Sequence, residues 1–200
     1  MTYRETENNN RVYPIESSCI FKLNKEEYGG LSNMASIYPL EVNGINIKST
    51  EALYQACKFP TDIELQKKIL FARSPFASKM VSKGKEVRSD WLKIRVEVMK
   101  WCIRVKLAQN YNSFGELLKS TNGKNIVENS DRDTFWGAKK INELEFKGIN
   151  ALGRLLMELR QEFFEIPMEE MVVVKPPIID HFYLLGEKIR IIDMKKKYRS

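Results

Sequence analysis

Apolar positions alternate with polar ones in short runs near both ends of the chain and recur every three or four residues through its middle. Ile20-Phe21-Lys22-Leu23 alternates and predicts a strand. Leu40-Glu41-Val42 and Ile45-Asn46-Ile47 alternate around Asn43-Gly44, the pair favoured in type I′ turns, which predicts a hairpin. Between these runs, Gly29-Gly30 marks a loop over 27–34, because glycine reaches positive φ without penalty. Helical spacing then takes over. Thr50 is read as the N-cap of a helix over 51–58 that Pro60 ends. Ser74-Pro75 opens a second helix, with proline at its first position. Ser89 is read as the cap of a long helix over 90–109, whose stripe is Trp91, Ile94, Val98, Cys102 and Val105. Ser113 with Glu116 suggests a capping box for a short helix ending near Lys119. Ile126-Val127 reads as a short buried strand. Asn150 opens a last helix with the inner face Leu152, Leu155, Leu156, Leu159 and Phe163. Residues 1–16 read as a polar arm. Past Pro167, 171–174 and 183–192 look β-like on either side of Pro176-Pro177, an extension too small to fold alone.

Composition narrows the class. A length of 200 residues suits one compact domain, and 43% hydrophobic with 30% charged residues suits a packed soluble core. No apolar run reaches the roughly 18 residues of a membrane helix, and the polar first ten residues do not read as a signal peptide. No membrane partner is expected. Cys19, Cys57 and Cys102 are odd in number and scattered, so neither a disulfide framework nor a zinc site is expected, and a cytoplasmic location fits. His181 is the single histidine. Histidine triads, multi-histidine metal centres and zinc deaminase sites are thereby disfavoured. Chemistry falls to carboxylates, lysines, arginines, tyrosines or asparagines, with no metal and no cofactor implied. The net charge of +7 fits a phosphate-bearing partner, or equally a lysine-rich composition without functional meaning. The C-terminal Lys195, Lys196, Lys197 and Arg199 carry much of that excess locally.

Four segments offer chemistry. Glu51, Tyr54, Gln55 and Lys58 fall at i, i+3, i+4 and i+7, so they share one helix face. Glu51 sits in the first turn, where the positive helix end favours a carboxylate. That face is either a solvated surface or a substrate cleft. The acid-rich run from Glu128 to Asp133 leads into Phe135-Trp136-Gly137. Carboxylates beside aromatic rings suit glycosidic cleavage, and also suit an exposed turn with one core tryptophan. Trp91 opens the long helix as a core residue or a ring wall. Asn150 is a helix-start amide suited to capping or to phosphate contact, and Gly153 implies close packing or close ligand approach.

Taken in order, Tyr28-Gly29-Gly30-Leu31-Ser32-Asn33, Ser49 through Phe59, Ala72-Arg73-Ser74-Pro75, Trp91 with Arg95 and Met99, Ile126-Val127-Glu128, Asp133 with Trp136-Gly137, and Gly148 through Arg160 resemble the YbiA-like, or NADAR, family. The likeness runs from about Phe21 to Arg160. It implies an α+β fold, mainly helical: a compact single domain over 17–165 with a few short strands. The β-like extension over 166–200, expected to pack on that domain, lies outside the resemblance. The resemblance also implies a metal-independent N-glycosidase. Its substrates would be ribosylamino-pyrimidine phosphates of riboflavin synthesis, or ADP-ribose on guanine in nucleic acid. The alternative is a non-catalytic module binding ADP-ribose or NAD-derived nucleotides. By the resemblance, Glu51 is the catalytic acid residue, Asp133 its acidic partner, and Lys58 either a phosphate ligand or a Schiff-base amine. Substrate contacts are implied for Gly30, Ser32, Asn33, Tyr54, Gln55, Trp91, Arg95, Trp136, Gly137, Asn150 and Gly153. Ala138 stands where the family often has a second glycine, which alters the pocket rim.

Overall fold

A computed structural model describes residues 9–198. The chain forms two compact units. One is built from the chain up to Ser32 together with Asn112–Glu165, the other from Asn33–Tyr111 together with the chain from Ile166 onward.

In the first unit, β1 (Arg11–Pro14) pairs antiparallel with β7 (Glu145–Gly148), which also pairs with the two-residue β6 (Lys139–Lys140). β2 (Ser18–Phe21) runs parallel to β5 (Asn125–Glu128), with Cys19 opposite Ile126. Tyr13, Val127, Ala138 and Phe146 form a core cluster that Ile15 and Ile20 join. α5 (Tyr111–Ser120) and α6 (Ala151–Glu165) complete the unit. α6 packs its predicted inner face, Leu152, Leu155, Leu156, Leu159 and Phe163, out of solvent. A Cβ on Gly115 would lie 2.5 Å from the Phe163 ring, so that glycine lets the ring close over α5.

The polar arm read over 1–16 contains a strand. Its single inward aromatic, Tyr13, is 3% exposed and donates its hydroxyl to Ile149 O at 3.3 Å. One anchor between polar neighbours and Pro14 leaves no alternation to read. Residues 1–8 of the arm lie outside the described residues. The strand read at 20–23 lies earlier, at β2, because Glu26 captures the amides of Lys22 and Leu23 in a turn. β6 and β7 carry no periodic signal and were not foreseen. α5 begins before Ser113, so that serine lies inside the helix and the capping box does not form.

In the second unit, β3 (Leu40–Val42) and β4 (Ile45–Ile47) form the predicted hairpin, with Asn43 at φ 53° and Gly44 at φ 78°. α1 (Thr50–Ala56) follows, then α2 (Ile63–Leu70), α3 (Pro75–Ser82) and α4 (Trp91–Gln109). The cap of α1 is Ser49, whose oxygen accepts from Ala52 N at 3.2 Å, and not Thr50. Ser74 caps α3 as expected. Asp90, not Ser89, occupies the cap position of α4, without a side-chain cap bond. α2 was unforeseen: Asp62 caps it, and its buried face includes Gln66, a polar residue that breaks the apolar stripe. α1 packs on α2, α3 and α4.

The C-terminal segment is more varied than its β-like pattern suggested. α7 (Met168–Met171) precedes β8 (Val173–Val174), which pairs antiparallel with β11 (Ile192–Asp193). β9 (Tyr183–Leu184) and β10 (Glu187–Lys188) form a small hairpin, and α8 (Lys195–Tyr198) ends the described chain. Met171, Val174, Leu184 and Ile189 are buried, and α4 packs on α7 and β8.

Candidate active site

The Glu51 face is buried rather than solvated. Glu51, Tyr54 and Gln55 are 7%, 4% and 4% exposed, and Lys58 is half-buried. α1 sits where it does because Ser49 closes its first turn and Glu51 N donates to Asn33 O at 3.0 Å. Gln55 Nε2 donates to Glu51 Oε1 at 2.8 Å, and Ser82 Oγ donates to Gln55 Oε1 at 2.6 Å. A buried carboxylate is thus oriented through an amide by a hydroxyl at the end of α3. Asn33 is buried as well, with Nδ2 donating to Met99 Sδ at 3.0 Å. Its Oδ1 has no hydrogen-bond partner among the described residues.

Rings wall the same region. Tyr54 and Trp91 lie 5.1 Å apart between centroids and tilt at 53°. Lys58 Nζ lies 5.5 Å from both ring centroids. Burial pushes the Tyr54 phenol well above its usual range. The Glu51 charge adds to this, and the Arg95 charge works against it. Tyr54 is therefore a neutral donor across ordinary pH. Of the sequence candidates, the structure gathers Asn33, Glu51, Tyr54, Gln55, Lys58, Trp91 and Arg95 within this unit. A cleft of about 690 Å³ opens at Lys58. Another, of about 530 Å³, is lined by Trp101, Arg104 and Val174 and includes none of the candidates.

The first unit organises its own candidates around one loop. Asp133 Oδ1 accepts from Phe135 N at 3.1 Å and Trp136 N at 2.9 Å, while Ser130 Oγ accepts from Asp133 N at 3.0 Å. Trp136 is half-buried and meets Phe135 edge-on at 4.9 Å. Ile149, Asn150, Ala151 and Leu152 donate their amides to the carbonyls of Thr134, Gly137, Phe135 and Trp136. The backbone donors of the helix start at Asn150 are thus already engaged by the loop carbonyls. Asn150 is fully buried at φ 51°. Its Oδ1 accepts from Glu128 N at 3.1 Å and its Nδ2 donates to Ile126 O at 2.8 Å. A Cβ on Gly153 would lie 2.1 Å from Ile126 O, and one on Gly137 2.5 Å from Glu128 O. Both glycines permit close backbone approach. Gly30 and Ser32 are buried at the 3₁₀ turn over 29–31.

Residues 20–164 match the NADAR domain family. The chain belongs to the NADAR family. A riboflavin biosynthesis protein of Vibrio vulnificus is 36% identical over 155 residues, covering 76% of this chain and 40% of that protein. The chain therefore spans about two-fifths of that relative's length. N-glycosidase YbiA of Escherichia coli is 31% identical over 144 residues, covering 71% of this chain and 86% of YbiA. The NMR structure of E. coli YbiA superposes with a TM-score of 0.63 at 28% identity, covering 82% of this chain and 94% of YbiA. The mainly helical α+β architecture is thus that of the NADAR fold.

The NADAR motifs do not reveal every group at these sites. Ser82 ends a helix without any motif, and nothing in the sequence ties it to Gln55. Arg88 joins Asp90 through two bonds of 2.6 and 2.9 Å, a link hidden in the Arg88-Ser89-Asp90 run. Lys106 is fully buried on α4, with its ammonium 4.9 Å from the Tyr38 ring centroid. Its position, four residues after Cys102, was a readable signal that it lies on the inner stripe.

Proposed function

We propose that this chain is an N-glycosidase that hydrolyses the bond between ribose C1′ and nitrogen, with a ribosylamino-pyrimidine phosphate as its substrate. The observation carrying this reading is the buried Glu51 carboxylate, held at 2.8 Å by Gln55 beside the Tyr54–Trp91 rings and the Lys58 ammonium. Breaking a glycosidic bond leaves positive charge on C1′ and the ring oxygen. A carboxylate shielded from water attracts that charge far more strongly than one in bulk solvent. The departing nitrogen keeps the bonding pair, water adds to C1′ and passes a proton to Glu51, and Glu51 hands that proton on to the nitrogen, which restores the carboxylate. Tyr54 and Trp91 offer faces for the sugar or base. The Lys58 Nζ lies against two rings, a geometry that suits an electrostatic contact with the substrate.

The substrate class is supported by family membership and by relatives named for N-glycosidase activity and riboflavin biosynthesis. Asn33 and Arg95, in the same unit as Glu51, are proposed as further substrate contacts. For Gly137, Asn150 and Gly153 the contacts within their own unit favour a framework role.

Incubation with a ribosylamino-pyrimidine phosphate should release ribose 5-phosphate, followed by mass spectrometry. Glu51→Gln should lower the rate by about 10²- to 10⁴-fold. A parallel reaction with ADP-ribosylated guanine in DNA decides between substrate classes. No release from either substrate, or equal rates in the variant, would overturn the reading. ADP-ribose binding without turnover would favour a binding module instead.

A further inference from the structure

The cleft at Lys58 has a wall that the family match does not include. One side comes from residues 58–62 and 85–90, and the other from Asp180 and His181, beyond the match that ends at residue 164. A single residue ties the two sides. Arg88 N donates to Lys58 O at 3.0 Å. Its guanidinium donates to Asp180 O at 2.6 Å and to His181 O at 3.5 Å. Asp90 holds the same guanidinium, and the Arg88 side chain is 8% exposed.

The turn it holds is strained. His181 has φ 52°, a region that non-glycine residues enter at a cost of order 1 kcal/mol or more. Tyr183 N donates back to His181 O at 3.0 Å, and the two rings meet edge-on at 5.8 Å. Phe182 is buried edge-on against Trp101 at 5.1 Å. The backbone is fixed on each side of His181 while its side chain stays exposed at the cleft. Strain maintained at an open cleft points to a side chain held for contact. Charge indicates what it contacts. Of the four lining carboxylates, Asp90 is paired with Arg88 and Asp62 caps α2, which leaves Glu86 and Asp180. Lys58, Lys85 and the His181 imidazole bring three nitrogen donors to the same opening.

We infer that His181 is a specificity residue of this cleft and contacts the phosphate of a phosphorylated sugar. The identity of the sugar rests on the N-glycosidase reading, whereas the phosphate contact does not. The test is titration calorimetry on the full chain with ribose 5-phosphate and with ribose. His181→Asn removes the imidazole yet keeps a residue that tolerates the left-handed turn. It should weaken ribose 5-phosphate binding about tenfold, leave ribose binding unchanged and raise KM about tenfold with kcat within about twofold. His181→Lys should restore the affinity. Unchanged ribose 5-phosphate affinity in His181→Asn, no binding by the parent chain, or failure of His181→Lys to restore it would overturn the inference. Binding that depends on His181 in a chain that cleaves no ribosylated substrate would sustain the contact and refute the N-glycosidase reading alone.

Discussion

Removing the charge on Lys106 tests how the interior of the second unit tolerates it. Burial lowers this lysine from 10.5 to about 7. Below about pH 7 the folded chain holds a buried ammonium and its full penalty. Between pH 7 and 10.5 the unfolded chain keeps a proton that the folded chain has released. Stability therefore rises with pH through that window. The fall from 10.5 to about 7, at about 1.4 kcal/mol for each tenfold in proton affinity, sets an upper penalty of about 5 kcal/mol. Lys106→Met keeps most of the volume and removes the titration. The advantage of the variant over the parent chain should then shrink by about 2–3 kcal/mol between pH 6 and pH 9. The Tyr54 phenol and Cys102 thiol, both pushed up by burial, titrate alike in the two chains and cancel in the difference. Urea unfolding at pH 6, 7, 8 and 9 measures it, provided both chains keep the same slope. Stability profiles that stay parallel across that range would refute the reasoning.

Three further outcomes follow from the geometry. Gly153→Ala, which in an open helix would add about 1 kcal/mol, should instead destabilise by about 1–3 kcal/mol in thermal unfolding, because the new methyl would lie 2.1 Å from Ile126 O. Asn150→Ala should cost about 2–4 kcal/mol by denaturant titration, since it leaves Glu128 N and Ile126 O without the partner side chain that binds both. Ser82→Ala should cost only about 1 kcal/mol in stability yet lower kcat about tenfold with KM nearly unchanged, because Gln55 loses the hydroxyl that fixes its amide toward Glu51.

The β3–β4 hairpin, α3 and the inner faces of α4 and α6 were legible because each rests on local rules: Asn43-Gly44, Ser74-Pro75 and helical spacing. Glu51, Tyr54, Gln55 and Lys58 were legible as neighbours for the same reason. Their burial was not, since α2, α3 and α4 close over α1 through contacts between distant segments. The strand at Arg11–Pro14 escaped because its partner lies at Glu145–Gly148, and a single tyrosine makes no pattern. Asn150 shows the limit most plainly. Its sequence context suited a helix cap or an anion site, but its amide binds two backbone groups of β5. The relevance of His181 was invisible for a similar reason, as it depends on Arg88 reaching across from another segment.

The order in which these segments are joined also governs how the chain can be synthesised. β1 and β2 emerge first, yet Tyr13 reaches Ile149 across 136 positions, and Cys19 reaches Thr121 across 102. On a ribosome, the two N-terminal strands must wait unpaired while nearly all of the hairpin and α1–α4 are made. Neither unit is continuous in the chain, so neither can finish folding as a simple N-terminal module. Such long-range closure slows folding and prolongs the exposure of unpaired strand edges. A nascent chain halted before Glu145 would display β1 without its partner β7, making early termination a direct route to aggregation.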